Sequence, residues 1–285
     1  MPQLLEIDDD PAALSPAGFA RFAQFITREL GIKMPESKIA LVQSRLLRRV
    51  RDLKLRSVDQ YSKYFFDPAH AEEREHLINA ITTNKTDFFR EPGHFEYLTG
   101  VVLPNFGADS RANRRFKAWS AGSSSGEEAY TIAIVLAEFA SQQPGFDFGI
   151  LGTDISTHVL AKAREGIYHQ SLILPVAPEL RNKYLMRGKN QSEHLARVVP
   201  ELRKRVTFHQ LNFMDDDYGI REMFDVVFFR NVMIYFERST QEAVIRKICR
   251  NLVPGGYLFA GHSESLASLD VPLRPVRASI YRRVD

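Results

Sequence analysis

Apolar positions in the first eighty residues follow a helical period. Phe19, Phe22, Ala23 and Ile26 share one face, and Gly31 supplies a stop. A second helix is expected over residues 37–54. On a helical wheel Ile39, Val42, Leu46, Leu47, Val50 and Leu53 gather on one side, with Lys38, Arg45, Arg48, Arg49 and Arg56 opposite. Shorter helices are expected over 58–66 and 71–81, and no strand pattern precedes Phe116. From there the texture changes. Apolar runs of strand length at 116–119, 148–151, 206–211, 224–229, 257–260 and 280–284 alternate with helical patterns at 127–141, 156–164 and 240–252. That alternation predicts an α/β fold on a doubly wound parallel sheet. Residues 166–205, broken by Pro175, Pro178 and Pro200, read as a small insertion. The expected organisation is an all-helical domain over 1–81, a polar linker over 82–92, and an α/β domain over 93–285.

Composition narrows the function classes. The chain has 285 residues, 44% hydrophobic and 26% charged, the mix of a soluble globular protein. No apolar run approaches the ~18 residues that cross a bilayer, and the acidic start lacks the basic-then-apolar order of a signal peptide. Cys249 stands alone, so neither an internal disulfide nor a cysteine metal cluster is expected. A cytosolic location follows as the expectation. Lys and Arg number 38 against 35 Asp and Glu, which argues against a nucleic-acid coat. Residues 38–63 depart from that balance, with eight basic side chains facing only Asp52 and Asp59. An acidic partner would suit that face.

The candidate chemistry sits at strand ends. Residues 116–128 run from a strand through Gly122-Ser-Ser-Ser-Gly126 into a helix that opens with Glu127 and Glu128. In a doubly wound fold such a turn is where a nucleotide-like ligand lies. It is neither a P-loop nor a dinucleotide fingerprint, because it lacks the lysine and the third glycine. Two glutamates on the first helical turn would repel a pyrophosphate but suit a cation such as S-adenosylmethionine, unless they only complement the helix dipole. Asp154 ends a strand where an acid accepts ribose hydroxyls, although a helix cap would also use it. Asn212 and Phe213 end a third strand, offering an amide and an apolar face to adenine; Phe229, Arg230 and Asn231 end a fourth. In the 82–92 tract Asn84 and Thr86 offer hydrogen bonds, and Arg90 a fork for a carboxylate. The run Gly261-His-Ser-Glu-Ser approaches a nucleophile elbow with Asp270 or Asp285 available as the acid, but no histidine follows Ser263 to serve as base.

These segments together resemble the chemotaxis receptor methyltransferases, which methylate glutamates on chemoreceptors. The resemblance rests on Thr82-Thr-Asn-Lys-Thr-Asp-Phe-Phe-Arg-Glu, Trp119-Ser-Ala-Gly-Ser-Ser-Ser-Gly-Glu-Glu, Thr153-Asp-Ile-Ser, Phe229-Arg-Asn-Val-Met-Ile-Tyr-Phe and Pro254-Gly-Gly-Tyr-Leu-Phe-Ala-Gly-His-Ser-Glu, in the family's order along nearly the whole chain. It implies a Rossmann-like methyltransferase sheet, S-adenosylmethionine as cofactor with S-adenosylhomocysteine as product, and no metal. It assigns cofactor contacts to Asn84, Thr86, Arg90, Glu128, Asp154, Asn212, Phe213, Phe229, Arg230 and Asn231. It sets Arg90 and Tyr235 nearest the transferred methyl and makes 166–205 a small β-subdomain. The basic helix, with Arg45, Arg48, Arg49 and Arg51, would meet the cytoplasmic helices of membrane chemoreceptors, recruiting the protein to receptor arrays without membrane insertion. One departure stands out. Members that grip a C-terminal receptor peptide carry a Gly-x-Gly turn in the β-subdomain, whereas Arg187-Gly-Lys-Asn-Gln has only Gly188, so that tether is not expected.

Overall fold

The computed structural model describes residues 13–108 and 114–284. The acidic start through residue 12 and Asp285 lie outside the described residues. The chain divides into two compact units, at Thr83 and Asn84.

The first unit holds α1 (Pro16–Leu30), α2 (Ile39–Asp52), α3 (Val58–Phe65) and α4 (Glu73–Ile81). Ser15 caps α1 by accepting the Gly18 N–H, and Gly31 ends it in the left-handed conformation at φ 69°. Phe22 and Phe25 pack against Phe65 at 5.5 and 5.0 Å, with Tyr61 beside Phe22 at 5.9 Å. Val42, Leu46 and Val50 form the buried stripe of α2; Leu47 and Leu53 lie at its half-buried margin.

The basic side of α2 is not uniformly solvated. Arg49 forks onto Glu73, with Nε 2.8 Å from Oε1 and Nη2 2.9 Å from Oε2, and Tyr61 donates to the same Oε1 at 2.9 Å. Glu73 is 2% exposed, so this is a buried ion pair. The Glu73 hydrogen bond holds the Arg49 guanidinium more firmly protonated than usual. Arg49 therefore leaves the expected docking face. Its helical position put it there, and the tertiary pairing turned it inward. Arg45 donates to the Ala80 carbonyl at 3.2 Å, while Arg48 and Arg51 are exposed.

The second unit opens with α5 (Gly93–Tyr97), a π-helical turn (Leu98–Val102) and α6 (Leu103–Ala108), helical segments the apolar pattern did not announce. There follow β1 (Phe116–Ala121), α7 (Glu127–Gln142), β2 (Phe148–Asp154), α8 (Thr157–Glu165), β3 (Ile167–His169), α9 (Pro178–Tyr184), β4 (Leu185–Arg187), β5 (Leu195–Val198), α10 (Pro200–Arg203), β6 (Val206–Gln210), β7 (Phe224–Phe229), α11 (Arg238–Arg250), β8 (Leu252–Ala260), β9 (Leu273–Arg277) and β10 (Ile280–Arg283). Seven strands form one sheet in the order β6-β2-β1-β7-β8-β10-β9. The first five are mutually parallel, and β10 and β9 add antiparallel, so the sheet is mixed rather than wholly parallel. Strands β3, β5 and β4 make a separate antiparallel sheet inside the 166–205 insertion. This is the α/β architecture, with a small β insertion, that the sequence resemblance implies.

Burial explains the element signals. β7 is buried at every position, and its apolar run is interrupted only by Asp225, which accepts the Lys117 N–H at 2.9 Å. Helix α7 packs on β1, β2 and β6, and nearly all of its first ten residues are buried. The Trp119 indole N–H, deep in the core, donates to Thr153 Oγ1 at 2.9 Å.

Candidate functional site

The chain leaves β1 toward β2 and β6, then returns to β1's other side as β7. The carboxyl ends of β1 and β7 therefore flank the topological switch point, where open α/β sheets bind ligands. The loops there are tightly interlocked. Gly122 has φ 85°, and a Cβ on it would stand 2.6 Å from Val232 Cγ2, so only glycine lets the β1 and β7 loops meet so closely. Gly122 and Ser123 both donate to the Thr153 carbonyl at 2.8 Å.

Asp154, 8% exposed, joins this turn to the end of β2. Its two oxygens accept the Ser124 N–H at 2.9 Å and the Ser156 N–H at 3.0 Å. Burial pushes the carboxyl up, and those backbone donors oppose the shift. Asp154 is not the cap of α8; Ser156 is, through its hydroxyl and the Val159 N–H. A carboxylate has about four lone-pair positions, so Asp154 keeps acceptor capacity for a ligand hydroxyl.

The paired glutamates divide their work. Glu127 is buried and accepts from Ser125 Oγ at 2.7 Å, a local contact at the helix start. Glu128 accepts from Ser120 Oγ at 2.7 Å and lies 3.3 Å from Arg230 Nη1. Burial raises the Glu128 carboxyl, and the Arg230 charge opposes it.

Arg230 is the hub of a charged cluster. Its side chain is 2% exposed and reaches Glu128, Glu91 Oε2 at 3.3 Å, and the Arg90 carbonyl. Its side-chain donors thus hold protein groups. On Glu91 burial acts upward, but Arg230 and the His262 N–H win and hold the carboxyl below its usual range. His94, buried beside them, is lowered to about 4 by burial and then by Arg230, and is neutral at pH 7. Glu91, His94 and His262 bring donor atoms within 4.8 Å of one another, the spacing of a metal site. The Arg230 guanidinium already supplies the cation that Glu91 needs.

The Arg90 segment is strained. Phe89 and Glu91 sit at φ 53° and 57°, the left-handed region that costs a bulky residue about 1–3 kcal/mol. Phe88, edge-on to Tyr168 at 5.0 Å, and the Phe89 N–H to Thr131 Oγ1 at 3.1 Å hold it in place. Arg90 and Thr86 are half-buried, and the Asn84 carbonyl accepts from Ser124 Oγ at 2.8 Å, which brings the 84–90 tract to the glycine turn.

At the remaining strand ends Asn212 Oδ1 accepts the Met214 N–H at 3.0 Å, and buried Phe213 packs edge-on against Phe229 at 4.9 Å. Phe229 is fully enclosed, so it backs Phe213 rather than facing a ligand. Asn231 is half-buried at φ 59°, and Tyr235 closes the turn Met233–Tyr235. The structure thus gathers Asn84, Asp154, Glu128, Asn212, Phe213 and Asn231 at one sheet edge. Sequence reasoning missed Glu91 and Glu264. Glu264 lies inside the run weighed as a nucleophile elbow, where Ser263 is exposed and Glu264 is the buried member.

The arrangement fits S-adenosylmethionine. Half-buried Glu128 and buried Asp154 stand where a cation and hydroxyls would be held, and no lysine accompanies the glycine turn to neutralise a pyrophosphate. Residues 84–281 match the family described as CheR methyltransferase, SAM binding domain, and residues 17–82 match CheR methyltransferase, all-alpha domain. The chain is 40% identical over 257 residues to the chemotaxis protein methyltransferase of Salmonella typhimurium, covering 90% of this chain and 86% of that protein. It is 39% identical over 258 residues to the Escherichia coli protein of the same name, covering 90% and 87%. With chemotaxis protein methyltransferase 2 of Pseudomonas aeruginosa it shares 37% over 264 residues, covering 92% and 91%.

Proposed function

Because this chain belongs to the CheR methyltransferase family, we propose that it transfers a methyl group from S-adenosylmethionine to glutamate side chains of membrane chemoreceptors. It is an S-adenosylmethionine-dependent chemotaxis methyltransferase; the acceptor, the site roles and the docking face are our reading. The observation that carries it is a pair of acids beside the switch point: buried Asp154 at the end of β2, and half-buried Glu128 on the first turn of α7, which follows β1.

In this reading the bound cofactor supplies a methyl group on a sulfonium. Asp154 accepts ribose hydroxyls, Glu128 faces the ammonium, and Asn212 with Phe213 receives the adenine. Asn84, Thr86 and Asn231 complete the polar lining, and Arg90 answers the cofactor carboxylate. Tyr235 orients the incoming glutamate by one hydrogen bond. An acceptor carboxylate with an ordinary pKa of about 4.3 is already ionised at neutral pH, so no general base is required. Nor does the reaction call for a metal. The enclosed strand-end loops align the reacting groups and exclude water.

The test is incubation with methyl-labelled S-adenosylmethionine and receptor-bearing membranes. A γ-glutamyl methyl ester releases its label as volatile methanol in mild alkali, and that is the expected result. Label that survives alkali would identify a different acceptor chemistry.

For the cofactor, Asp154→Ala should weaken S-adenosylhomocysteine binding ten- to a hundredfold, the loss of a charged acceptor worth about 1.5–3 kcal/mol. Calorimetry on the folded variant checks this, and unchanged affinity would reduce Asp154 to a loop clasp.

No helix of the described residues is long and apolar enough to cross a membrane, and we place the protein at the cytoplasmic face of receptor arrays. In this reading the docking face rests on Arg48 and Arg51, which are exposed. Reversing both charges should slow receptor methylation about three- to tenfold and leave cofactor affinity unchanged. Wild-type turnover should fall as salt shortens the screening length below ~8–10 Å. A double variant with the normal rate would leave α2 as plain solvated surface.

A further inference from the structure

The turn after β8 carries a buried acid that the reading above leaves without a role. Glu264 is 6% exposed. Its Oε2 accepts the Gly261 N–H at 2.7 Å and the Asn231 N–H at 2.8 Å, and its Oε1 accepts the Ile234 N–H at 3.3 Å. Gly261 follows β8, whereas Asn231 and Ile234 follow β7. One carboxylate therefore joins the loops of two neighbouring strands.

Neither electrostatics nor packing explains this residue as a source of stability. Among the described residues no cation forms an ion pair with Glu264, and the groups favouring its ionised form are backbone N–H donors. Taking a carboxylate out of water costs several kcal/mol, which hydrogen bonds must offset. What the carboxylate offers instead is geometry. It accepts at both oxygens and presents no donor, so three converging N–H groups can be held at once. A glutamine would turn an NH₂ toward one of them.

The loops it joins bear the groups nearest the chemistry. Asn231 sits at φ 59°, a left-handed conformation that its neighbours must enforce. Gly261 faces it so closely that a Cβ there would lie 2.7 Å from Asn231 Nδ2 and 2.8 Å from Glu264 Oε2. Ile234 immediately precedes Tyr235 in the turn Met233–Tyr235.

We propose that Glu264 is a positioning residue for methyl transfer, its carboxylate locking Asn231 and the Tyr235 turn in register with each other. The inference rests on the acceptor and cofactor roles proposed above. Glu264 touches neither cofactor nor acceptor and acts through the residues that do.

Two variants test it. Glu264→Gln keeps the shape but mismatches one N–H, and Ile234→Pro removes a single donor while leaving the carboxylate; Ile234 is 47% exposed, so its core cost is small. Each is first shown to be folded by circular dichroism and thermal melting, with Ser263→Ala, an exposed neighbour, as control. At a temperature well below melting, kcat of Glu264→Gln should fall about ten- to a hundredfold, the range that misplacement of reacting groups produces. Ile234→Pro should show a smaller loss, and Ser263→Ala none. A merely structural role would lower the melting temperature and leave kcat per folded molecule unchanged, and that result overturns the proposal. If Glu264→Gln does not fold, Ile234→Pro decides on the same criterion. If the wild-type enzyme transfers no methyl to receptors, the function reading fails separately. S-adenosylhomocysteine affinity then decides here, a severalfold weakening in a folded variant supporting the role of Glu264 and an unchanged value refuting it.

Discussion

The Arg230→Met variant is expected to lose about 3–5 kcal/mol of stability, the usual result of removing one partner from a buried charge cluster. Arg230 is enclosed between Glu91 and Glu128 and donates to the Arg90 carbonyl. Without it, two largely enclosed carboxylates, 11% and 13% exposed, lose their shared cation, and the strained Phe89–Glu91 backbone loses a clamp. The pH dependence identifies the mechanism. A buried carboxyl without a counter-charge has a folded pKa above its unfolded one. It then favours the folded state at low pH and loses that advantage as pH rises. The gap between variant and wild type should therefore narrow as pH falls from 7 toward 5, as followed by thermal melting. A gap independent of pH would assign the loss to packing. Cofactor affinity should fall too, by about tenfold or more, because Glu128 is no longer held in place. Arg230→Lys should recover part of the stability, since a point charge replaces the cation but not the fork that reaches three groups.

The Arg49→Met variant should destabilise the helical unit by a similar amount, about 3–5 kcal/mol, by leaving the buried Glu73 carboxylate without its guanidinium partner. Adding Glu73→Gln should restore much of that loss. The amide carbonyl still accepts from the Tyr61 hydroxyl, and no unpaired charge stays buried. A double variant no better than the single one would show that the pair contributes through its shape. The result also governs how the docking face is tested. A charge reversal that includes Arg49 would slow methylation by unfolding the helices, so Arg48 and Arg51 are the side chains that report on docking.

The elements legible in the sequence were those whose burial is expressed in a local period. Residues 224–229 form β7 with the bounds expected for a strand, because every position is buried and all but Asp225 are apolar. β1 ran two residues further than expected, since Ser120 and Ala121 are buried without a hydrophobic signature. Ser120 tolerates this by donating to Glu128. β8 began at Leu252 instead of Tyr257. There the Pro-Gly-Gly segment bulges, so that Phe224 faces Leu252 while Val226 already faces Tyr257. β9 was not anticipated at all. Its residues are almost all exposed, and Pro275 lies on an edge strand, so neither alternation nor an apolar run marks it.

The candidate site divides along the same line. Asp154, Glu128, Asn212 and Asn231 were legible because each ends or follows a parallel strand, and parallel strands bring such ends to one edge. The sequence by itself determined the helical and α/β halves, the strand-end acids and the glycine turn, since these follow from short-range period and from residue type. Tertiary structure alone decided that Arg230 holds Glu91 and Glu128, that Arg49 turns inward to Glu73, and that Glu264 binds the backbone of two loops. The reason is that a charged side chain announces its sign but not its partner. The partner depends on which strands and helices become neighbours, and those contacts join residues as far apart as Glu91 and Arg230, where no local pattern reaches.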